Sequence, residues 1–274
     1  MSPKCRKAKD NGFRLSVWSA HWPITVRLGS GFLSYNKTLT FNPEYIWNYM
    51  FYQDGSIEFE IRLTGILLVT PLADGESNPY GTTVAPGVNA PYHQHLFSLR
   101  VDPMIDGLQN TVIESDIVPL SAPTGSETNF AGNGFVSQDK VLDQETGRPY
   151  DLSKERRWRI INSGRKHYAS GKDAGYSIGL KGAVAPMMMQ PDSWAAKRGS
   201  FLDNTLWVCR DVEGNNSGSE RIWPSGKYVP QSRTTPEDSI GQWVRAKKNT
   251  VDEDILVYVT MGTTHIPRPE DWPV

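Results

Sequence analysis

The sequence predicts an all-β protein, a sandwich or barrel of short strands. Three observations carry this reading. Ser56 to Thr64 alternates strictly, with Ile57, Phe59, Ile61 and Leu63 on one face and polar groups on the other, the period of a strand. Several more short runs rich in β-branched and aromatic residues follow, with no helical period between them, which is the pattern of stacked or closed sheets. Twenty-four Gly and nineteen Pro, spread over 274 residues, leave little room for long helices.

The elements follow in order. Tyr45 to Tyr52 is an aromatic-rich run, and Asp54-Gly55 after it is a favoured hairpin turn. Tyr45 to Thr64 is therefore expected to be a β-hairpin. Residues 70–91 are rich in Pro, Gly, Asn and Ser and read as an irregular loop. Pro91 to Arg100 reads as a strand, and residues 120–135 as a polar loop. Lys154 to Asn162 and Gly175 to Leu180 look like further strands. Residues 183–198, with Met187, Met188 and Met189, suit a short helix or an extended segment. Leu206 to Arg210 and Ile255 to Thr260 are strands again, the first of them burying Cys209. No internal repeat or domain linker interrupts the chain.

Composition excludes several classes of function. Lys and Arg number 29 against 30 Asp and Glu, so the basic excess of a nucleic-acid surface is missing. The longest apolar run, the five residues Ile255 to Val259, is far too short to span a membrane. Met1 to Lys7 is polar and lacks the apolar centre of a signal peptide, so an intracellular protein is expected. Two cysteines, Cys5 and Cys209, make no disulfide framework. Asn36-Lys37-Thr38 and Asn215-Asn216-Ser217 fit the glycosylation pattern, which is common by chance.

The chemistry concentrates at His93 and His95. Side chains two apart on a strand leave the same face, with Cα atoms about 6.5 Å apart, so the two imidazoles can converge on one ion. His265, following the last strand, is the expected third ligand. His21 and His167 sit in polar surroundings and read as ordinary surface residues. Three imidazoles with open positions suit zinc, or copper(II) in a tetragonal arrangement. An iron or manganese site of the His-x-His type needs a carboxylate soon afterwards, and Leu96 to Val101 offers none.

Wider motifs bring in a known family. Phe51-Tyr52-Gln53-Asp54-Gly55-Ser56-Ile57-Glu58, followed by Leu63-Thr64-Gly65-Ile66, resembles the cofactor hairpin of the copper-containing amine oxidases. His93-Gln94-His95-Leu96-Phe97 resembles their paired copper ligands. Thr260, Gly262, His265, Glu270, Asp271 and Pro273 fill each place of their C-terminal copper signature. The resemblance runs from residue 42 to 274, a partial catalytic domain, while residues 1–41 match only weakly.

What the resemblance implies is a large antiparallel β-sandwich, incomplete at both ends and part of a homodimer. It implies copper(II) on His93, His95 and His265, and topaquinone made from a tyrosine of the chain. It also implies oxidation of primary amines by oxygen to aldehydes, with release of ammonia and hydrogen peroxide. Neither nucleic acid nor a membrane is an expected partner.

The chain also departs from the family pattern. In Asn42-Pro43-Glu44-Tyr45 the position of the cofactor tyrosine is held by Pro43, flanked by Asn42 and Glu44. Proline has no ring to oxidise. Tyr45 lies on the same strand face two residues on, a shift of about 7 Å, which is expected to put its ring out of register with the copper. The segment before Pro43 shows no match to the family's catalytic aspartate. The chain is therefore expected to be inactive as an oxidase, and the alternative is a non-catalytic copper-binding scaffold or fragment. A zinc hydrolase using the same histidines ranks third. The resemblance further implies a peripheral calcium-type site at Asp102 and Asp254, with the carbonyls of Pro103 and Ile255. Met104 occupies another carboxylate position there, so weak binding is expected.

Overall fold

The computed structural model describes residues 14–18, 23–27, 35–39, 44–211, 221–227 and 233–273, the first three stretches as backbone only. The fold is all-β. Its strands are β1 (Arg14–Trp18), β2 (Pro23–Arg27), β3 (Tyr35–Leu39), β4 (Glu44–Phe51) and β5 (Ile57–Thr64). They continue as β6 (Thr70–Pro71), β7 (Gly81–Ala85), β8 (Val88–Pro91), β9 (His93–Asp102), β10 (Thr111–Pro119) and β11 (Phe135–Leu142). The last five are β12 (Thr146–Arg148), β13 (Arg157–Lys166), β14 (Asp173–Ile178), β15 (Leu206–Arg210) and β16 (Ile255–His265). Among the described residues there are two short α-helices, α1 (Trp194–Arg198) and α2 (Ile240–Trp243), and a few 3-10 turns. No helix among the described residues is long and apolar enough to cross a membrane.

The chain divides into two compact units, Met1–Gly29 with Leu96–Gly262, and Ser30–His95 with Thr263–Val274. The first holds two antiparallel sheets, of order β12-β15-β16-β9-β1-β2 and β11-β10-β13-β14. In β16, which lies between β15 and β9, Ile255 to Thr260 are buried without interruption. Its edges are paired, and the unbroken burial means that both its faces are covered, so the sequence there is a continuous apolar run instead of an alternating one. Trp207, Cys209, Ile240, Leu256 and Tyr258 pack into one core cluster. The two sheets are tied by Glu114 of β10, whose carboxylate accepts from Arg148 Nε of β12 at 2.7 Å. The same carboxylate accepts from the indole of buried Trp158 on β13 at 3.1 Å.

The second unit carries the sheets β3-β4-β5 and β6-β8-β7. The expected hairpin is present as β4 and β5, with Trp47 opposite Ile61 and Tyr49 opposite Phe59. Its turn closes with the Tyr52 amide on the Ser56 carbonyl and Gly55 at φ +83°. This is a three-residue loop ending in the left-handed conformation that glycine supplies. Leu67, Val84 and Ala90 form a small core, with Val69, Val88 and Trp272 packed against it.

The structure differs from expectation at several places. The stretch 70–91, expected as loop, forms the sheet of β6, β7 and β8. Its Pro86-Gly87 is the two-residue turn of a hairpin, Ala85 pairing with Val88 and Gly87 standing at φ +70°. β10 and β11, either side of the expected loop at 120–135, were not anticipated. β13 begins at Arg157 instead of Lys154, because Leu152–Lys154 turns as a short 3-10 helix capped by the Asp151 carboxylate. The segment 183–198 does contain a short helix, α1, capped by Ser193 Oγ accepting from the Ala196 amide. β16 runs five residues beyond Thr260, so His265 ends the strand instead of following it.

Candidate metal centre

His93 and His95 open β9 and His265 closes β16, all three in the second unit and half-buried. One ligating atom from each lies within 4.8 Å of the other two. The rings of His93 and His95 stand 4.7 Å apart edge to face. Those of His93 and His265 stand 4.8 Å apart. Strand alternation brings the first two together, and the last residues of β16 bring the third. Between the paired histidines, Gln94 donates to the Thr264 hydroxyl at 2.9 Å, linking β9 to β16 beside the cluster.

The hydrogen bonds say which nitrogens are free. His93 Nδ1 lies 2.9 Å from the Pro91 carbonyl, to which it can only donate. That leaves Nε2 of His93 with a bare lone pair, 3.3 Å from Nδ1 of His265. Burial, then the neighbouring His93 and His265, hold the His95 imidazole below the usual histidine range. Burial and His93 lower His265 in the same way, against an opposing pull from Asp271. Half-buried imidazoles, with Nε2 of His93 and Nδ1 of His265 converging, are a donor set that fits zinc or copper(II). Burying an imidazolium beside two others would be costly.

Tyr45 of β4 lies against His95. Its hydroxyl lies 3.0 Å from Nδ1 of His95, with the rings 5.8 Å apart edge to face. The phenol therefore reaches a residue of the histidine cluster, at the Nδ1 atom of its ring. β4 places Tyr45 on the face it shares with Trp47 and Tyr49, and its ring lies 6.4 Å from that of Trp47.

Asn42 and Pro43 lie outside the described residues, as do Cys5 and His21. Glu44 opens β4. His167 is exposed and accepts from the Ser170 amide, as an ordinary surface histidine would. Glu270 and Asp271 belong to a short 3-10 turn, where Asp271 accepts from Arg268 Nη2 at 2.8 Å.

A second cluster lies in the first unit. Carboxylate oxygens of Asp102, Asp254 and Asp211 fall within 4.8 Å of one another. Asp211 was missed from the sequence. It directly follows β15, and its amide donates to the Asp254 carbonyl at 2.7 Å, so the antiparallel pairing of β15 with β16 places it there. Buried Arg100 stands 3.4 Å from Asp102 and offsets part of this charge.

The profile described as "Copper amine oxidase, enzyme domain" matches residues 33–274. The chain belongs to the copper amine oxidase family. It is 36% identical over 238 residues to copper amine oxidase 1 of Schizosaccharomyces pombe, covering 85% of this chain and 32% of that protein. It is 36% identical over 237 residues to the peroxisomal primary amine oxidase of Pichia angusta, covering 85% and 33%. The crystal structure of a copper-containing benzylamine oxidase from Hansenula polymorpha superposes with a TM-score of 0.79 at 30% identity, over 93% of this chain and 38% of that one. This member of the copper amine oxidase family thus spans about a third of the length of the curated relatives it matches. Its antiparallel all-β fold is that of the family's enzyme domain.

Proposed function

We propose that the chain is the copper-binding part of a primary-amine oxidase catalytic domain, with copper(II) held by His93, His95 and His265. The observation that carries the reading is the convergence of three half-buried imidazoles from the start of β9 and the end of β16, within a chain that belongs to this family. The complete reaction would convert a primary amine and oxygen to an aldehyde, ammonia and hydrogen peroxide. Copper with topaquinone supplies the electron sink for that oxidation.

The chain's own contribution is to hold the ligands. The Pro91 carbonyl orients His93 and fixes its tautomer, as outer partners of metal-bound histidines generally do. Pro43 occupies the place of the quinone precursor and has no ring to oxidise, so we infer that this chain binds copper but does not turn over amine. The expected partners are the amine, oxygen and a second copy of the chain. The Asp102 and Asp254 carboxylates, with the Ile255 carbonyl, are read as a weak calcium site. Hard oxygen donors suit that ion, but Met104 and the Arg100 charge weaken it.

The test is to load the purified chain with copper under oxygen and add phenylhydrazine. One copper per chain and no coloured adduct is the expected result. A coloured quinone adduct would show that a tyrosine other than one at position 43 serves as precursor. Failure to hold copper, with a hydrolytic activity restored by zinc, would overturn the family reading of the metal.

A further inference from the structure

The two histidines of β9 treat their Nδ1 atoms alike. His93 Nδ1 faces the Pro91 carbonyl at 2.9 Å, and His95 Nδ1 faces the Tyr45 hydroxyl at 3.0 Å. For His93 this leaves Nε2 directed at the cluster, 3.3 Å from His265. A backbone carbonyl can only accept, whereas a phenol can accept or donate, so the Tyr45 contact admits two tautomers of His95. Only one of them, with the proton on Nδ1, leaves Nε2 bare for an ion.

We propose that Tyr45 is a positioning residue of the metal centre, its hydroxyl oxygen accepting the Nδ1 proton of His95 and holding the Nε2 atom toward the ion. The inference rests on the metal reading above and adds the part played by a residue of the neighbouring hairpin. Three geometric facts support it. Tyr45 is half-buried, on the face of β4 that it shares with Trp47 and Tyr49. Its ring meets His95 edge to face at 5.8 Å and Trp47 at 6.4 Å, so the phenol is braced from two sides. β4 is hydrogen-bonded along its length to β5, which fixes the backbone that carries it. The hairpin thereby aims a side chain at a ligand about fifty residues away in sequence.

Outer partners of this kind typically change metal affinity about 10–100-fold when removed. The experiment compares the wild-type chain with Tyr45→Phe and, as a control, Tyr49→Phe. Tyr49 is buried on the same strand face four residues further along β4, its ring 5.0 Å from that of Phe59. Copper(II) affinity is measured by competition with a chelator, and the His95 tautomer by nitrogen-15 NMR of the zinc-loaded protein.

Tyr45→Phe should lose about 10–100-fold in copper affinity, with thermal stability of the metal-free chain still cooperative. Tyr49→Phe should keep wild-type affinity. In the wild type His95 should carry a slowly exchanging proton on Nδ1, and Tyr45→Phe should speed that exchange. Equal affinities and exchange rates in wild type and Tyr45→Phe would overturn the proposal while leaving the metal reading intact. A phenolate-to-copper(II) charge-transfer band that vanishes in Tyr45→Phe would overturn it differently, by making Tyr45 a direct ligand. A wild-type chain that binds neither copper nor zinc would remove the metal reading and this one together.

Discussion

His93 and His265 meet across 172 residues of sequence, with Nε2 of the first 3.3 Å from Nδ1 of the second. Two imidazole nitrogens at that distance must share either a proton or an ion, since two facing lone pairs repel. Replacing either residue by Ala should therefore weaken copper more than the ~10–100-fold typical of an outer partner. Bound copper in dialysed protein, measured by atomic absorption, checks this. Retention of one copper per chain in His265→Ala would remove that residue from the site.

Acid should destabilise the first unit through β10. Burial opposes ionisation of Glu114, but the hydrogen bonds from Arg148 and Trp158, and the charges of Arg148 and Arg156, outweigh it and hold the carboxyl below its usual range. The Asp116 carboxyl is lowered chiefly by its hydrogen bond with Arg156. A carboxyl with a lower pKa in the folded than in the unfolded chain stabilises the fold above the unfolded value, about 4, and loses that contribution as pH falls through the folded value. Urea titrations should therefore show the contribution of these two carboxyls intact above about pH 5 and lost as pH falls below about 4. A separate and earlier loss, below about pH 6.5, should come from His95 and His265, whose imidazoles the fold holds below their usual range. Glu114→Gln should cost about 3 kcal/mol at pH 7, as removing one member of a buried pair does. It should also flatten the acid dependence, and an unchanged slope would show that Glu114 is not its source.

Cys209 should be inert while the protein is folded. The residue is fully buried, and burial pushes its thiol up to about 12. Only about one thiol in ten thousand would then be ionised at pH 8, and the thiolate is the reactive form. In a Cys5→Ser background a disulfide reagent should titrate no thiol until denaturant is added. Rapid stoichiometric reaction of the native protein would contradict the burial.

Tyr258→Phe should be costly for its small size. The Tyr258 hydroxyl is buried and donates to the Arg221 carbonyl. Removing it leaves that carbonyl short of a donor, a loss of about 1–3 kcal/mol. Thermal or urea unfolding measures it. A variant as stable as the wild type would show that the carbonyl finds another partner.

Much of the fold was legible from local pattern. Ile57, Phe59, Ile61 and Leu63 alternate because one face of β5 lies against the aromatic side chains of β4, and the aromatic run from Tyr45 supplies its partner. The strands β15 and β16 were legible because both their faces are covered. β10 was not, since Glu114, Ser115 and Asp116 interrupt its apolar pattern. In the folded chain those polar groups are satisfied by Arg148, Asp139 and Arg156, partners that no local window contains. The hairpin of β7 and β8 was hidden for the opposite reason. Pro86-Gly87 looks like a loop whether or not strands flank it, and pairing alone makes it a turn.

By itself, then, the sequence determined the all-β class, the hairpin of β4 and β5, the His93 and His95 pair and the choice of His265 as their companion. Those depend on short-range alternation and on motif residues that stand in fixed order. Only the tertiary structure decided that Asp211 joins Asp102 and Asp254, and that the Tyr45 hydroxyl lies against His95. Both are contacts between strands or residues distant in the chain. Their distances follow from backbone register and side-chain reach, which a period of two cannot specify.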